Sequence, residues 1–301
     1  MKRVSPNRNA LLALAILVVV WGYSWIVIKQ VTPYIGPFDF VALRFGLATV
    51  VLLAVLLVRR ESLKPTPLAY TIAVGATQTA AMQALSQWAL VSGGAGHVSI
   101  LAYTMPFWSV LFAWWLLRER PNPHQWFGIV LAVGGLICIL EPWHGLGGWQ
   151  SSALAIAAGA SWALGIILAK RMFERYHPPL LAFTFWQLLF GSIFLAATAL
   201  LTPSKPIQWT SGLVWGLLYA AVPASAFAWA LWSFVIDCLP ATIASLSSLG
   251  VPISAILLAW IILGERPDRF ELLGVVLIVL GLVAISGIGR RPGAKFTPRR
   301  A

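Results

Sequence analysis

Long apolar stretches dominate the sequence, and short polar or Gly/Pro-rich connections such as Thr32–Gly36 and Pro203–Pro206 separate them. A helix needs about 20 mostly apolar residues, each rising about 1.5 Å, to cross the hydrocarbon core of a bilayer. Ten stretches reach or approach that length, which predicts an all-α membrane protein with ten transmembrane helices and no separate extramembrane domain. The predicted spans are Ala10–Val31, Phe38–Val58, Pro67–Val91, Ala95–Leu117, His124–Leu140, Ser151–Arg171, Leu180–Leu201, Ser211–Val235, Pro240–Leu263 and Phe270–Ile288.

The composition agrees with a membrane protein. Of the 301 residues, 59% are hydrophobic and only 10% are charged, whereas a soluble domain carries about 25% charged residues. The net charge of +12 raises the question of nucleic-acid binding. With the N-terminus inside, however, 16 of the 21 Lys and Arg residues lie on the inner side, 4 lie on the outer side, and Arg44 lies within the second span. This asymmetry predicts a bacterial-type inner membrane protein with cytoplasmic termini. The basic residues then face the anionic lipid of the inner leaflet, and no nucleic-acid partner is expected.

The sequence also contains an internal repeat at an offset of 146 residues. Pro106–Ile139 aligns with Pro252–Ile285 with 15 identities in 34 positions, and both segments contain a Glu-Arg-Pro turn. A weaker match at a slightly shorter offset aligns Trp21–Lys29 with Trp162–Lys170. Apolar composition alone would not align two Glu-Arg-Pro turns, so the similarity indicates duplicated structure.

The repeat divides the chain into two five-helix units, residues 10–140 and 151–288, followed by a basic cytoplasmic tail at residues 289–301. Because five is odd, the second unit enters the membrane from the opposite face. Such inverted repeats are typical of secondary transporters, in which a midplane site opens alternately to each side. Transport by alternating access is therefore the expected function.

Particular residues also resemble a known family. Trp21-Gly22-Tyr23-Ser24, Leu43-Arg44-Phe45 and the two Glu-Arg-Pro turns are similar to the drug/metabolite transporter superfamily, EamA type, and the resemblance covers Ala10 to Ile288. It implies ten helices, alternating access and outward movement of small metabolites, often amino acids. The sequence departs from the family pattern at Tyr23 and Trp25, where smaller or polar residues are frequent. It also departs at Arg118, where the second unit keeps the usual glycine, Gly264.

The third predicted span carries a polar stripe at helical spacing, formed by Gly75, Thr79, Gln83 and Gln87. Polar groups are costly in lipid, so such a stripe marks either a substrate pathway or hydrogen bonds between helices. We favour the pathway, because two glutamines one turn apart exceed what helix packing needs. The substrate-binding candidates are Trp21, Ser24, Trp25, Thr79, Met82, Gln83, Gln87, Ser99, Tyr103, Trp162, Ser225, Trp229, Ser245 and Ser248.

Proline and glycine mark two further features. Pro106, Pro223 and Pro252 fall near the centres of the fourth, eighth and ninth predicted spans, where each is expected to free the carbonyl four residues earlier. They are hinges for alternating access or fixed kinks, and the sequence does not choose between the two. By contrast, the Gly128…Gly135 and Gly274…Gly281 spacings predict close packing of the fifth and tenth spans.

Charge is scarce within the predicted spans. None of the nine acids lies deep and no histidine lies at mid-depth, so a proton relay through a buried carboxylate or histidine is not expected. Arg44, the single embedded cation, is expected to be structural, either extending outward or pairing with Asp39 and free carbonyls. These features favour a facilitator or exchanger for a neutral or zwitterionic solute with an apolar or aromatic part, held by amides, hydroxyls and indoles.

Three other function classes fit the sequence less well. A membrane-embedded enzyme would need paired acids, a metal set or a nucleophile with a base, and Ser245 and Ser248 have no His or Lys at their depth. A channel would need a continuous pore, and a scaffold would leave the polar stripe with packing as its only role. We therefore expect no catalytic residues, no metal and no cofactor, and a small-molecule substrate and membrane lipid as partners of a monomer or weak homodimer.

Overall fold

The computed structural model describes residues 8–92, 101–118, 120–121, 123–140, 149–263 and 268–286, and this part of the chain is helical, without strands. In chain order the helices are α1 (Arg8–Val31), α2 (Pro37–Val58), α3 (Leu68–Val74, Gly75–Ala81 and Met82–Ser92), α4 (Met105–Phe112 and Ala113–Leu117), α5 (Pro123–Leu140), α6 (Trp149–Tyr176), α7 (Leu180–Leu201), α8 (Ser211–Ala221, Val222–Phe227 and Ala228–Cys238), α9 (Ala241–Ser247 and Gly250–Leu263) and α10 (Arg269–Ser286). Among the described residues, six helices are long and apolar enough to cross a bilayer, and Met105–Leu117, Trp126–Gly135 and Leu272–Gly281 are shorter apolar segments. The protein is therefore an all-helical, multi-pass membrane protein.

Local sequence explains where several helices begin and end. Pro37 opens α2, at a position where the missing N–H costs nothing, and the Thr210 hydroxyl accepts a hydrogen bond from the first turn of α8 at 3.2 Å. Arg60, Arg118 and His177 follow the ends of α2, α4 and α6 in the left-handed region, with φ of 53°, 59° and 44°. Glycine adopts a left-handed backbone without strain, so the conformation of Arg118 explains why glycine suits this turn.

Helices α3 and α8 each contain a π-helical segment near mid-length, Gly75–Ala81 and Val222–Phe227. In α8, Pro223 has no N–H to donate to the preceding turn. At the corresponding position of α3, the Thr77 hydroxyl donates to the Ala73 carbonyl oxygen at 2.7 Å. A disturbed α-helical ladder at equivalent positions accounts for the wider turn in both helices, and π segments of this kind are frequent at functional sites.

The structure shows where two of the prolines lie within their helices. Pro106 lies in the first turn of the helix that begins at Met105, directly after a turn at residues 103–104. Helix α9 is likewise interrupted after Ser247, and Pro252 follows the interruption. The Ser248 carbonyl that Pro252 was expected to free accepts a hydrogen bond from the Val251 N–H at 2.9 Å. A proline is tolerated at such positions because the first turn of a helix has no internal acceptor for its N–H.

The packing of the helices defines a core between α1, α2, α6, α7 and α8. Helix α3 packs against α6 and α7, α8 packs against α1 and α2, and α2 and α7 pack against each other. Helices α5 and α10 form a close pair, as predicted from their glycines: a Cβ atom at Gly135 would lie 2.6 Å from the Gly274 carbonyl oxygen, and one at Gly281 would lie 2.7 Å from that of Gly128.

Candidate functional site

The π segment of α8 is held by two side chains from distant parts of the chain. Arg44 of α2 is buried, and its Nε donates to the Ser225 hydroxyl at 2.6 Å while Nη2 donates to the Ala224 carbonyl oxygen at 3.2 Å. The Trp21 indole Nε1 donates to the same carbonyl oxygen at 3.0 Å. Three hydrogen bonds from α1 and α2 therefore fix this segment.

Arg44 was expected to extend outward or to pair with Asp39 and free carbonyls. The carbonyl contact is present, but the Asp39 contact is not, because the Asp39 carboxylate accepts a hydrogen bond from the Ser204 hydroxyl instead. Among the carboxylates that the structure describes, none pairs with Arg44. The guanidinium is thus a buried cation whose hydrogen-bonding partners are neutral, and it lies 5.2 Å from the centroid of the Phe45 ring.

The π segment of α3 is held in a matching way from α7. The Gln187 Nε2 donates to the Thr79 hydroxyl at 3.2 Å and to Gln78 Oε1 at 3.5 Å. Thr79 and Gln78 correspond to Ser225 and Ala224 at the 146-residue offset. Gln187 therefore occupies, on the other π segment, the role that Arg44 has on the first.

An aromatic cluster lies between these two segments. The Trp21 ring lies 5.9 Å from that of Trp162, 6.1 Å from that of Trp229 and 5.6 Å from that of Trp232. The rings of Trp162 and Trp232 are 6.2 Å apart, and Tyr103 lies 6.4 Å from Trp162. All five residues are buried, and centroid separations of this size are typical of edge-to-face and tilted aromatic contacts.

Four buried polar atoms have no hydrogen-bonding partner among the described residues. They are Nε1 of Trp162, Nε1 of Trp232, Nε2 of Gln78 and the hydroxyl oxygen of Ser86. An unpaired buried polar group costs about 1–3 kcal/mol, so each is an exception that needs an explanation. Three of the four are N–H groups, which can only donate.

The structure places the predicted site residues in different surroundings. The aromatic cluster contains Trp21, Trp162, Trp229 and Tyr103. The last part of α3, after the π segment, carries Met82, Gln83 and Gln87. The hydroxyls of Ser24, Ser245 and Ser248 each donate to a carbonyl of their own helix or turn, and Thr79 and Ser225 are engaged by Gln187 and Arg44. Ser99 and the Trp25 side chain lie outside the described residues.

The predicted site omitted Gln78, Gln187 and Trp232, and the sequence analysis assigned Arg44 a structural role only. Trp232 lies three residues after Trp229, on the same face of α8, so helical spacing could have found it. Gln187 lies 143 residues after Arg44, and α2 and α7 each have 22 residues related by that same offset, which was a usable signal. Nothing in the local sequence marks Gln78 as different from its neighbours.

Two other features lie away from the cluster. The Lys170 Nζ of α6 donates to the carbonyl oxygens of Ile236 at 3.2 Å and Asp237 at 3.1 Å, and so caps the C-terminal end of α8. A cavity of about 540 Å³ lies at the opposite ends of the helices, where Phe38, Trp88 and Lys205 are among its lining residues. In the described part of the chain, no three His, Cys, Asp or Glu side chains group as metal ligands would.

Comparison with known proteins identifies the family. The model of the EamA-like transporter family matches residues 8–141 and 150–287. A Bacillus subtilis (strain 168) protein named "Uncharacterized transporter YoaV" is 25% identical over 282 residues, which covers 91% of this chain and 95% of that protein. An Escherichia coli (strain K12) protein named "Probable amino-acid metabolite efflux pump" is 29% identical over 304 residues, covering 96% and 98%.

A solved crystal structure shares the fold. It superposes with a TM-score of 0.78 at 18% sequence identity and covers 94% of this chain and 99% of its own. At that identity the similarity concerns the fold alone. The matches to the family and to named transporters extend over nearly the whole chain.

Proposed function

We propose that this chain, which belongs to the EamA-like transporter family, carries small neutral or zwitterionic metabolites outward across the bacterial inner membrane by alternating access. Amino acids, especially aromatic or other amphipathic ones, are the favoured substrates. The observation that carries the proposal is the aromatic cluster between the two π segments, where buried rings adjoin buried hydrogen-bonding groups that have no described partner. The name of the E. coli relative, an amino-acid metabolite efflux pump, supports the same substrate class.

We further propose that ten helices span the membrane as two inverted five-helix units, residues 10–140 and 151–288. The π segment Val222–Phe227 of α8 corresponds at the 146-residue offset to residues 76–81, which lie within the π segment of α3. Each π-containing helix also packs against the first two helices of the other half. Helix α3 packs against α6 and α7, and α8 packs against α1 and α2. Both observations support a two-fold relation, which gives a carrier two equivalent ways to open.

Facilitated diffusion or exchange is the proposed mode of transport. The carboxylates whose side chains are described, Asp39, Glu61, Glu174, Asp237 and Asp268, lie in loops or in the first or last turns of helices. A proton-coupled carrier commonly uses a carboxylate or histidine at membrane depth as its relay. The substrate gradient is therefore the driving force in this proposal, and the aromatic cluster is the midplane binding site.

The experiment is counterflow in proteoliposomes. Purified protein is reconstituted with unlabelled L-phenylalanine inside, and the entry of labelled L-phenylalanine is measured with and without a pH gradient. We expect saturable counterflow that does not depend on the gradient. A dependence on the pH gradient would overturn the facilitator mode, and an absence of saturable exchange for L-phenylalanine and for a wider panel of amino acids would overturn the substrate class.

A pair of variants locates the site. Trp162→Ala removes a buried ring of the aromatic cluster, whereas Trp215→Ala removes a tryptophan of α8 that is 71% exposed. We expect Trp162→Ala to abolish counterflow while the protein is still purified in similar amounts, and Trp215→Ala to transport normally. Equal transport by the two variants would remove the aromatic cluster from the proposal.

A further inference from the structure

We propose that the substrate enters this site with a carboxylate group facing Trp162, Trp232 and Gln78, so that their N–H groups hold its oxygens. The inference rests on the proposed transport function and adds the chemistry of the substrate's polar end. It narrows the proposed substrates from neutral or zwitterionic solutes to those that carry a carboxylate. Three observations carry it: the type of the unpaired groups, their placement, and a buried cation in the same layer.

The unpaired groups require an acceptor. An indole N–H donates and accepts nothing, and the same holds for the amide nitrogen of Gln78. Both indole residues and Gln78 are at least 95% buried, so these groups are shielded from bulk water. A ligand that supplies two oxygens with several lone pairs, as a carboxylate does, matches a set of donors better than an ammonium or a hydroxyl group would.

The three donors belong to one region of the core. The rings of Trp162 and Trp232 are 6.2 Å apart. Gln78 lies against α6 at Gly165, one helical turn from Trp162, where a Cβ atom would come within 2.9 Å of the Gln78 backbone nitrogen. Because Gln78 Oε1 accepts from Gln187, the amide is anchored by its oxygen and its nitrogen is left to donate.

The charge in this layer has the sign that a carboxylate needs. Arg44 is 6% exposed and donates to a hydroxyl and a carbonyl, and no described carboxylate balances it. Trp21 connects Arg44 with the aromatic cluster. Its N–H donates to the Ala224 carbonyl oxygen, which also accepts from Arg44, and its ring lies 5.6 Å from that of Trp232. A buried cation without a counter-charge is costly, so an anionic group brought into the layer by the substrate is stabilised there.

The rings themselves receive the apolar part of the solute. Trp229 and Trp21 offer aromatic edges and faces, and Met82 packs against the same core. The combined site therefore favours an aromatic or bulky apolar solute with a carboxylate, which is the chemistry of an aromatic α-amino acid. Its ammonium group is left to backbone carbonyls or to water and contributes less to recognition.

The first test needs no variant. Inhibition of labelled L-phenylalanine counterflow is measured with L-phenylalanine, L-phenylalaninamide and phenethylamine, which share the ring and the amine but differ in the carboxylate. We expect the amide and the amine to be weaker inhibitors by about tenfold or more, since two hydrogen bonds to a charged acceptor are lost. Equal inhibition by all three would overturn the inference while leaving the transport function intact.

The second test removes single N–H groups. Trp162→Phe and Trp232→Phe keep an aromatic ring and delete the donor, and Trp21→Phe is the matched control because its N–H is already paired with Ala224. We expect the first two variants to lose about tenfold in affinity for L-phenylalanine and little for phenethylamine, and Trp21→Phe to keep the preference for the carboxylate. Equal losses for acid and amine would contradict the inference, and no saturable counterflow by the wild-type protein would overturn it together with the proposed function.

Discussion

Gly165 of α6 is the position at which a single methyl group tests the packing around the α3 π segment. A Cβ atom there would lie 2.9 Å from both the Cα atom and the backbone nitrogen of Gln78. Unstrained contacts between such atoms need about 3.5 Å. The added Cβ atom would overlap the Gln78 Cβ atom more closely still, so Gly165→Ala must shift α6 from the π segment of α3 by more than about 0.6 Å or distort one of the two helices.

Two opposing contributions set the magnitude. Replacing a glycine inside a helix by alanine contributes up to about 1 kcal/mol of stability, whereas overpacking a dense core costs about 1–3 kcal/mol. Gly46 of α2 is the matched control, because a Cβ atom there meets no atom within 4 Å. The helical contribution cancels between the two variants, so we expect Gly165→Ala to be less stable than Gly46→Ala by about 1–3 kcal/mol.

The assay compares thermal unfolding midpoints in one detergent with counterflow in proteoliposomes. We expect Gly46→Ala to unfold at or above the wild-type midpoint and to transport normally. Gly165→Ala should unfold at a lower midpoint than Gly46→Ala and transport more slowly, because Gln78 and Trp162 are displaced from each other. Equal midpoints and equal transport in the two variants would refute the packing argument.

Three further predictions concern single side chains. Arg44→Leu should lower the unfolding midpoint more than Arg44→Gln, because glutamine can still donate to Ser225 and each lost hydrogen bond to the cation is worth about 1.5–3 kcal/mol; the reverse order would contradict the assignment. Lys170→Met, in a Cys138→Ser background, should speed maleimide labelling of Cys238 at the end of α8, and an unchanged rate would argue against the capping role. Arg118→Gly should raise the unfolding midpoint by relieving about 1 kcal/mol of left-handed backbone strain, whereas Arg118→Ala should not raise it. Equal effects of the two substitutions would show that any gain comes from removing the charge of Arg118 and not from relieving strain.

The apolar pattern predicted most helix bounds, because the local sequence determines both how long an apolar stretch is and where it ends. Leu180–Leu201 agrees at both ends with α7. Helix α6 was predicted to end at Arg171 but continues to Tyr176. Its last turns carry Lys170, Glu174 and Arg175, which lower the hydropathy without breaking the helix. Helix α6 therefore extends beyond its apolar stretch.

The π segments and the contacts of Arg44 could not be predicted from the local sequence. Both partners of Arg44 lie about 180 residues away, and only the packing of α2 against α8 brings them together. The sequence analysis predicted that Thr79 is part of a pathway, and in the structure its hydroxyl accepts a hydrogen bond from Gln187. A stripe of polar residues shows that partners exist, but the partners are decided by tertiary packing.

The same comparison shows how the two proposed units differ. Arg44 and Gln187 hold equivalent π segments, but the hydrogen bonds of Arg44 are charge-assisted and those of Gln187 are not. Charge-assisted hydrogen bonds are about twice as strong as neutral ones, so in the proposed carrier the contact of α2 with α8 is the firmer of the two. A conformational change that loosens α7 from α3 then costs less than one that loosens α2 from α8. In the proposed arrangement the two π segments occupy equivalent positions, but the side chains that hold them differ in charge, and Arg44 is where that difference is largest.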